Sequence, residues 1–298
     1  MGISINTVDS AYQQLVSEGY LEARAKSGYF VCDLGINISK MHGTVPAKPD
    51  PLDKNLSEGL PTQNGNREKF GLCSESEPDS DSDSDSGNTV PNIDFSPNGV
   101  DLEALPLAKF KKTIRDVLDE EGTRAFSNCD PHGAIELRYA LCEYLRESRD
   151  LICNPEQIII GAGTDYMLQL LVQILRSSHK MEAIAMENPV YNKAYQIFTG
   201  LQVPVELIPL DKSGVHMDSL RRSRSNLVYT TPSHQFPLGI IMPVSRRTEL
   251  LAWAREAGNR YIIEDDYDSE FRYAGRPIPA ISGLDPESRV IYSGTFSK

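Results

Sequence analysis

The sequence predicts an α/β protein whose main part is a mostly parallel sheet with helices on both faces. Between residues 91 and 298, short apolar runs rich in Val and Ile alternate with segments of helical periodicity. Such runs, bounded by turns, are typical of strands that are covered on both sides. The composition, 40% hydrophobic and 24% charged, excludes a collagen-like or wholly disordered chain. No apolar run reaches about 18 residues, so the sequence predicts neither a transmembrane helix nor a membrane partner.

The first 32 residues predict the second half of a winged helix-turn-helix. Apolar side chains recur at helical spacing over residues 5–18, and Gly19 can end that helix in a left-handed conformation. The stretch YLEARAKSGYFV then predicts two short strands around the turn Ala25–Gly28. The two helices that normally precede such a unit are missing from the sequence. The chain is therefore expected to begin inside a DNA-binding domain.

Residues 33–90 predict a flexible acidic linker. They contain the run SESEPDSDSDSDSG, which cannot bury enough apolar surface to offset the entropy lost on ordering. An EF-hand loop starting at Asp81 would need Gly at its sixth position and Glu at its twelfth, where the sequence has Ser86 and Asn92. Calcium is therefore not favoured, and no metal site is predicted.

The net charge of −12 does not argue against DNA binding by the N-terminal segment. Residues 1–31 carry two basic and three acidic side chains (−1), residues 32–90 carry 5 and 11 (−6), and residues 91–298 carry 23 and 28 (−5). The five cysteines form no CxxC pair, and the start of the chain has no secretory signal. We therefore expect reduced thiols and a cytoplasmic location.

Helices and strands are predicted to alternate after the linker. The helices are expected at 106–120, 133–149, 164–176, 189–199 and 244–257. The strands are expected at 158–161, 183–186, 205–210, 226–231, 261–265 and 290–294. Because ligands bind beyond the carboxyl ends of parallel strands, the residues that follow each strand are the candidate site.

Small residues follow the strand at 158–161 and open a helix. Free N–H groups and the positive end of the helix dipole favour a phosphate there. Ala162, Gly163 and Thr164 are therefore candidate phosphate ligands, although a plain tight turn explains the same residues.

Two ring-bearing side chains follow the next strands. Tyr191 comes after the strand at 183–186, where an aromatic residue either packs in the core or forms a platform for a planar ligand. His234 comes after the strand at 226–231, in a loop where a solvated histidine is the simpler interpretation.

The acidic segment EDDYDSEFR ends the strand at 261–265. Carboxylates at the end of a buried strand need a cation or hydrogen-bond donors. Asp265 directly continues the apolar run, so it is expected to point into the crevice, where it could hold a protonated ring nitrogen. The phenol of Tyr267 could bond to a neighbouring ring oxygen. A divalent metal and a solvated acidic loop are the alternatives.

Lys298 follows the last strand, and Thr295 and Ser297 stand beside it. A lysine that is desolvated in a cleft can act as a Schiff-base nucleophile, whereas a terminal surface lysine is the alternative. Together, the sheet edge would carry a phosphate seat, a ring platform, a carboxylate, a phenol and a lysine. This is the set that pyridoxal phosphate requires.

Several motifs resemble a known family. IEDDYDSEFRY and VIYSGTFSK are similar to the cofactor-binding core of fold-type-I aminotransferases. More narrowly, the chain resembles the MocR-type regulators of the GntR superfamily, which join a winged helix to an aminotransferase-like domain. ISINTVDSAYQQLVSEGYLEARAKSGYFV is similar to the end of their DNA-binding module, and DPHGAIELRYALCEYLRESR, ENPVY and TPSHQFPLG are also similar to that family. The resemblance implies a partial winged helix at 1–32, a linker at 33–90 and an aminotransferase-like domain at 91–298, truncated at the Schiff-base lysine.

The resemblance also implies a role for each residue at the sheet edge. Lys298 would be the catalytic, Schiff-base residue. Asp265 would pair with the ring nitrogen, with Asp266 as the alternative. Tyr267 would bond on the ring-hydroxyl side, and Tyr191 would stack on the ring. The phosphate would be held by the amides of Ala162 and Gly163 and by the hydroxyls of Thr164 and Thr295.

One position departs from the family pattern. Aminotransferases often use an asparagine just before Pro-x-Gly to bond the ring oxygen, and this chain has Phe236 there. His234 or Gln235 would replace that contact.

In the DNA-binding module, the resemblance places Ser4, Asn6 and Thr7 at the start of the recognition helix. Side chains there reach phosphates and base edges, although helix capping is the alternative for Asn6 and Thr7. Arg24 and Lys26 would contact DNA from the wing.

The function implied is that of a cytoplasmic, pyridoxal-phosphate-dependent transcription regulator. It would bind operator DNA, respond to pyridoxal phosphate or to an amino compound, and act as a homodimer. A working aminotransferase is the first alternative, so whether the domain turns over substrate stays open. A winged-helix regulator with a cofactor-free dimerisation scaffold is the second.

Overall fold

The computed structural model describes residues 5–17, 19–25, 27–32, 105–128, 130–178, 180–268 and 279–296. The helices are α1 (Ile5–Ser17), α2 (Leu107–Glu121), α3 (Ile135–Arg149), α4 (Thr164–Ser177), α5 (Asn192–Gly200), α6 (Met217–Arg222) and α7 (Val244–Arg255). The strands are β1 (Leu21–Arg24), β2 (Gly28–Val31), β3 (Ile184–Asn188), β4 (Val205–Asp211), β5 (Gly214–Val215), β6 (Leu227–Thr230), β7 (Tyr261–Asp266) and β8 (Val290–Gly294).

Six strands form the main sheet, in the order β5-β4-β3-β6-β7-β8. Every pair is parallel except β4 with the short β5, which is antiparallel. The carboxyl ends of β3, β6, β7 and β8 therefore lie at one edge of the sheet. This confirms the predicted α/β class, and the strand ends next to Tyr191, His234, Asp265 and Thr295 lie at a common edge.

Helices cover both faces of the sheet, and each face has its own buried core. Apolar side chains of α6 and α7 pack on one face, around the fully buried Trp253. Those of α4 and α5 pack on the other, around Phe198. Because side chains alternate along a strand, Ile262 of β7 faces the α6–α7 side and Ile263 faces the α4–α5 side. Burial on both faces explains why the first residues of β7 are apolar in succession rather than in alternation with polar ones.

The predicted elements differ from the structure at a few places. Residues 158–161 form no part of the sheet; instead the Ile160 amide donates to the His132 carbonyl at 2.9 Å. The prediction of a strand there was wrong, because apolar character alone does not supply a pairing partner. The short β5 and α6 were not predicted, since two and six residues are too few to establish a periodicity.

The chain divides into two compact units, Met1–Ala47 with Cys129–Lys298, and Lys48–Asn128. In the second unit the structure describes α2 and a following turn of 3-10 helix, Gly122–Phe126. In the first unit, α1 is followed by the antiparallel β1–β2 hairpin, as the sequence predicted. The predicted linker lies outside the described residues.

The first unit also contains the connection from α1 to the hairpin. Gly19 has φ +80°, and a Cβ there would lie 2.9 Å from the Cβ of Pro243, so this position requires glycine. Tyr20 packs on the core of the α6–α7 face.

In the described residues, no helix is both long and apolar enough to cross a bilayer.

Candidate functional site

Asp265 is buried near the end of β7, with only 4% of its surface exposed. Alternation along the strand puts it on the α4–α5 face, between two carboxylates, Glu264 and Asp266, that point to the opposite face. Its register partner in β8 is Ser293, two residues before Thr295. The predicted carboxylate thus lies inside the protein rather than in a solvated acidic loop.

The two oxygens of Asp265 have different surroundings. The phenol of Tyr229, on the neighbouring β6, donates a hydrogen bond to Oδ2. Oδ1 is buried and has no hydrogen-bond partner among the described residues. Burial raises the pKa of Asp265 from 3.8 to about 6, the Tyr229 hydrogen bond lowers that pKa, and the negative charge of Asp266 raises it. A buried carboxylate oxygen without a donor is unfavourable unless a ligand supplies one, which fits a protonated ring nitrogen.

Asp266, the alternative for the role of Asp265, is held by other residues. Its Oδ2 lies 2.7 Å from Nε of Arg149 and accepts a hydrogen bond of 2.6 Å from the phenol of Tyr292. Arg149 also donates to the hydroxyl of Ser233 at 2.7 Å. This ion pair is buried on the face opposite Asp265. Asp266 therefore has a structural role, and its charge is paired with Arg149.

Glu264 also has structural partners. It accepts hydrogen bonds from the amides of Ile281 and Ser282, at 2.8 and 2.9 Å. No group of three or more His, Cys, Asp or Glu side chains in the described part of the chain is arranged to hold a metal ion. The acidic motif is therefore divided between the two faces of the sheet.

Three aromatic rings form a cluster beyond the strand ends. Phe236 contacts the other two, with ring centroids 5.6 Å from Tyr191 and 6.1 Å from Tyr267, both edge to face. The predicted platform and the predicted phenol thus both contact one ring. Phe236 itself occupies the position where the family pattern has asparagine.

The two residues expected to replace that asparagine differ in their environment. The amide nitrogen of Gln235 donates to the carbonyls of Pro189 and Phe236, at 2.8 and 2.7 Å, so this buried side chain holds its own loop. His234 is half-buried, and its Nδ1 lies 2.9 Å from the carboxylate of Asp268. That carboxylate fixes the orientation of the imidazole.

The small-residue turn opens α4 as predicted. Gly163 is the residue before the helix and has φ +88°, which favours glycine, and a Cβ there would meet no atom within 4 Å. The open space leaves the first amides of α4 accessible to an anion. Gly163 and Thr295 line the same cavity, of about 590 Å³. Ala162 is exposed and Thr164 is half-buried at the first turn of the helix.

An ion pair stands beside this turn. Asp165, in the first turn of α4, lies 2.5 Å from the Lys193 ammonium of α5. The positive charge of the lysine offsets the negative charge of the carboxylate, which would otherwise repel a phosphate at the start of the helix.

Some predicted site residues lie outside what the structure describes. These are Lys298, Ser4 and Lys26. The backbone of Asn6 and Thr7 forms the first turn of α1. Arg24 is exposed on β1, where it pairs with Glu22 at 3.0 Å and lies 4.6 Å from the centroid of the Phe30 ring.

Sequence reasoning missed Tyr229, Arg149 and Tyr292. Tyr229 stands inside the apolar run NLVYTT, where a tyrosine is expected to be a core residue. Only the register of β6 against β7 brings its hydroxyl to Asp265. The apolar run therefore contained no signal for this contact.

The burial of Asp265 predicts a pH dependence of the stability of the cofactor-free protein. Since its folded-state pKa lies above 3.8, the folded protein holds more protons than the unfolded chain between pH 4 and 6. The ionised side chain therefore lowers the free energy of unfolding as pH rises through this window, by about 2–3 kcal/mol. We expect Asp265→Asn to raise the free energy of unfolding at pH 7 and to leave it unchanged near pH 4, measured by urea titration.

Asp211→Asn is the matched control for this pH dependence. Burial raises the pKa of Asp211, but its bonds to Arg246 and to the Ser213 amide hold that pKa below the ordinary value. The substitution should therefore lower stability at pH 7, opposite to Asp265→Asn. The same change in stability for Asp265→Asn at both pH values would contradict the prediction.

Comparison with known proteins agrees with this architecture. The family described as "Aminotransferase class I and II" matches residues 91–298. The chain is similar to the uncharacterized HTH-type transcriptional regulator YhdI of Bacillus subtilis (strain 168), with 39% identity over 100% of this chain and 56% of the relative. It is also similar to the probable rhizopine catabolism regulatory protein MocR of Rhizobium meliloti, with 32% identity over 100% of this chain and 56% of the relative.

Among solved structures, the chain is similar to the Pyrococcus horikoshii kynurenine aminotransferase in complex with PMP. The identity is 28% and the TM-score 0.58, over 65% of this chain and 49% of that one. The chain spans just over half the length of each of the two regulators named above. The match of residues 91–298, together with the parallel sheet and its site, shows that the chain belongs to the class I and II aminotransferase family.

Proposed function

We propose that this chain is part of a DNA-binding transcription regulator whose aminotransferase-like domain binds pyridoxal phosphate. The single observation that carries the cofactor assignment is Oδ1 of Asp265, a buried carboxylate oxygen without a donor at the ligand-binding edge of the sheet. The side chain is fixed by Tyr229 and stands on the face opposite the Asp266 ion pair. A cationic ring nitrogen satisfies that oxygen and offsets the burial of its charge.

The remaining residues would each bind one part of the cofactor. Asp265 would pair with the ring nitrogen, Tyr267 and His234 would contact the ring oxygen, and Tyr191 would stack on the ring. Ala162, Gly163, Thr164 and Thr295 would hold the phosphate. Lys298 would form the covalent link. When bound, pyridoxal phosphate supplies an aldehyde that reacts reversibly with amines and a protonated ring that withdraws electrons.

The regulatory assignment is supported by similarity along the whole chain to HTH-type transcriptional regulators. In this proposal, residues 1–32 belong to the DNA-binding domain, 33–90 link it to the sensor, and 91–298 belong to the sensor. The DNA contacts would come from Ser4, Asn6, Thr7, Arg24 and Lys26. The protein would act in the cytoplasm as a homodimer, and an amino compound would displace the lysine link and shift the dimer between two states.

Aminotransferase activity is the second candidate function. It is favoured by the family match over residues 91–298 and by a PMP-bound structural relative. In this case Lys298 would also move a proton between an amino acid and the cofactor.

The regulatory proposal is tested by DNA binding with and without cofactor. The intact protein selects duplexes from a random-sequence pool, and the affinity for the selected duplex is then measured by gel shift. We expect pyridoxal phosphate to change the dissociation constant by about threefold or more, since coupling free energies are about 1 kcal/mol or larger. The Lys298→Ala variant should lose that response.

Identical binding with and without cofactor would overturn the regulatory role. Sustained transamination between an amino acid and a keto acid would favour the enzyme instead.

A further inference from the structure

Tyr229 is a fully buried tyrosine whose hydroxyl reaches the sheet edge. It belongs to β6 and is 0% exposed. Its phenol donates to Oδ2 of Asp265 on the adjacent strand. The acceptor is itself a buried carboxylate, 4% exposed.

The strand register explains how the contact arises. Tyr229 stands opposite Ile263, two residues before Asp265 on the same face of β7. The long side chain spans this offset by leaning along the strands. The ring is held edge to face by Phe198 of α5, with centroids 5.9 Å apart. The phenol oxygen is therefore fixed by core packing rather than by a mobile loop.

The hydrogen bond makes the two oxygens of Asp265 unequal. Oδ2 is used by Tyr229, and Oδ1 stays buried without a partner in the described part of the chain. Burial, followed by the charge of Asp265, raises the pKa of the Tyr229 phenol well above its ordinary value. The phenol therefore stays protonated and keeps the proton that it donates to Asp265.

We propose that Tyr229 is a positioning residue of the cofactor site, whose hydroxyl holds one oxygen of Asp265 so that the other is presented to the ring nitrogen. The inference rests on the proposed function, because it assumes that pyridoxal phosphate binds. In this role Tyr229 acts on the ring nitrogen alone, through Asp265. It does not affect the binding of the phosphate or of the aldehyde.

The test compares pyridoxal phosphate with its carbocyclic analogue, in which C–H replaces the ring nitrogen. Both ligands keep the aldehyde and the phosphate. In the intact Tyr229→Phe protein, the dissociation constant for pyridoxal phosphate, measured by absorbance, should rise about tenfold, the effect of losing one hydrogen bond to a charged group. The constant for the analogue should stay within about twofold of the wild-type value.

Tyr292→Phe is the matched control. It removes a half-buried phenol that donates to Asp266, on the opposite face, and should leave the ratio of the two dissociation constants unchanged. Tyr229→Phe should also have no effect on that ratio in the Asp265→Asn background, since the carboxylate through which it acts is gone. This double variant removes donor and charge together, so it remains informative if the single variant does not fold.

Equal weakening of both ligands by Tyr229→Phe would mean that Tyr229 only supports the core, and no weakening of either would mean that it does not position Asp265. Either result, or an effect that persists without Asp265, overturns the inference. Failure of the proposed function has a different signature, because the wild-type protein would then show no absorbance change with either ligand.

Discussion

Replacing Asp265 with asparagine is expected to weaken the binding of pyridoxal phosphate to the intact protein about 30-fold or more. The substitution keeps the shape of the side chain and removes the charge that would pair with a protonated ring nitrogen. Losing one partner of a buried charge pair costs about 2–5 kcal/mol, and 2 kcal/mol corresponds to about 30-fold in the dissociation constant. Titration of the cofactor-free protein, followed by absorbance, measures this change.

Asp211→Asn is the control for this loss of affinity. Asp211 ends β4 at the same edge of the sheet, but three strands away from β7 in the strand order, and its carboxylate lies 2.8 Å from Arg246. Its replacement should leave the dissociation constant within about twofold of the wild-type value. Equal affinities of the wild-type and Asp265→Asn proteins would remove the main support for the cofactor assignment.

Asp265→Asn should have opposite effects on binding and on stability. At pH 7 it should stabilise the cofactor-free protein, because it removes a buried charge whose Oδ1 has no donor in the described residues. It should weaken the cofactor complex for the same reason. A substitution that raises stability and lowers affinity is typical of a functional residue held in an unfavourable environment. A purely structural carboxylate would lower stability when replaced.

The common edge of the site was predictable because the parallel sheet was predictable. Apolar runs that alternate with helices place His234, Asp265 and Thr295 at the ends of three different strands. Parallel strands bring those ends together without any knowledge of side-chain contacts. In the structure these residues follow or end β6, β7 and β8, whereas Gly163 follows a segment outside the sheet and lines one cavity with Thr295.

The orientation of each acidic side chain was harder to predict from the sequence. The strand YIIEDD is apolar on both faces before its acidic end, so periodicity alone does not say which core Asp265 faces. Its orientation is clear only from the packing of Ile262 and Ile263 against different helices. The partner of Asp265 was harder still, because Tyr229 is distant in sequence and meets it only through strand register.

The segment 158–161 shows a different limit of sequence reasoning. Three isoleucines in a row have high strand propensity, but a strand is defined by its backbone partner. In the structure this segment lines the cavity beside β8 and bonds to the His132 carbonyl instead. Local propensity therefore predicted a strand that does not form in the structure.

Replacing Arg149 with methionine is expected to lower the free energy of unfolding by about 3–5 kcal/mol. Arg149 and Asp266 are both about 2% exposed, and Nε of the arginine lies 2.7 Å from Oδ2 of the carboxylate. Methionine fills much of the volume but leaves the charge of Asp266 buried, with a hydrogen bond from the phenol of Tyr292 in place of an ion pair. Urea unfolding of the intact protein, without cofactor, measures the loss.

Two further variants separate the loss of the ion pair from the loss of volume. Arg221→Met removes a half-exposed arginine that lies 3.0 Å from Glu249, and should cost at most about 1 kcal/mol because solvent screens that pair. Adding Asp266→Asn to Arg149→Met removes the unpaired charge and should recover much of the lost stability, since a missing pair is less unfavourable than a lone buried charge. A double variant as unstable as Arg149→Met alone would show that packing by the arginine side chain, rather than neutralisation of Asp266, holds this face of the sheet together.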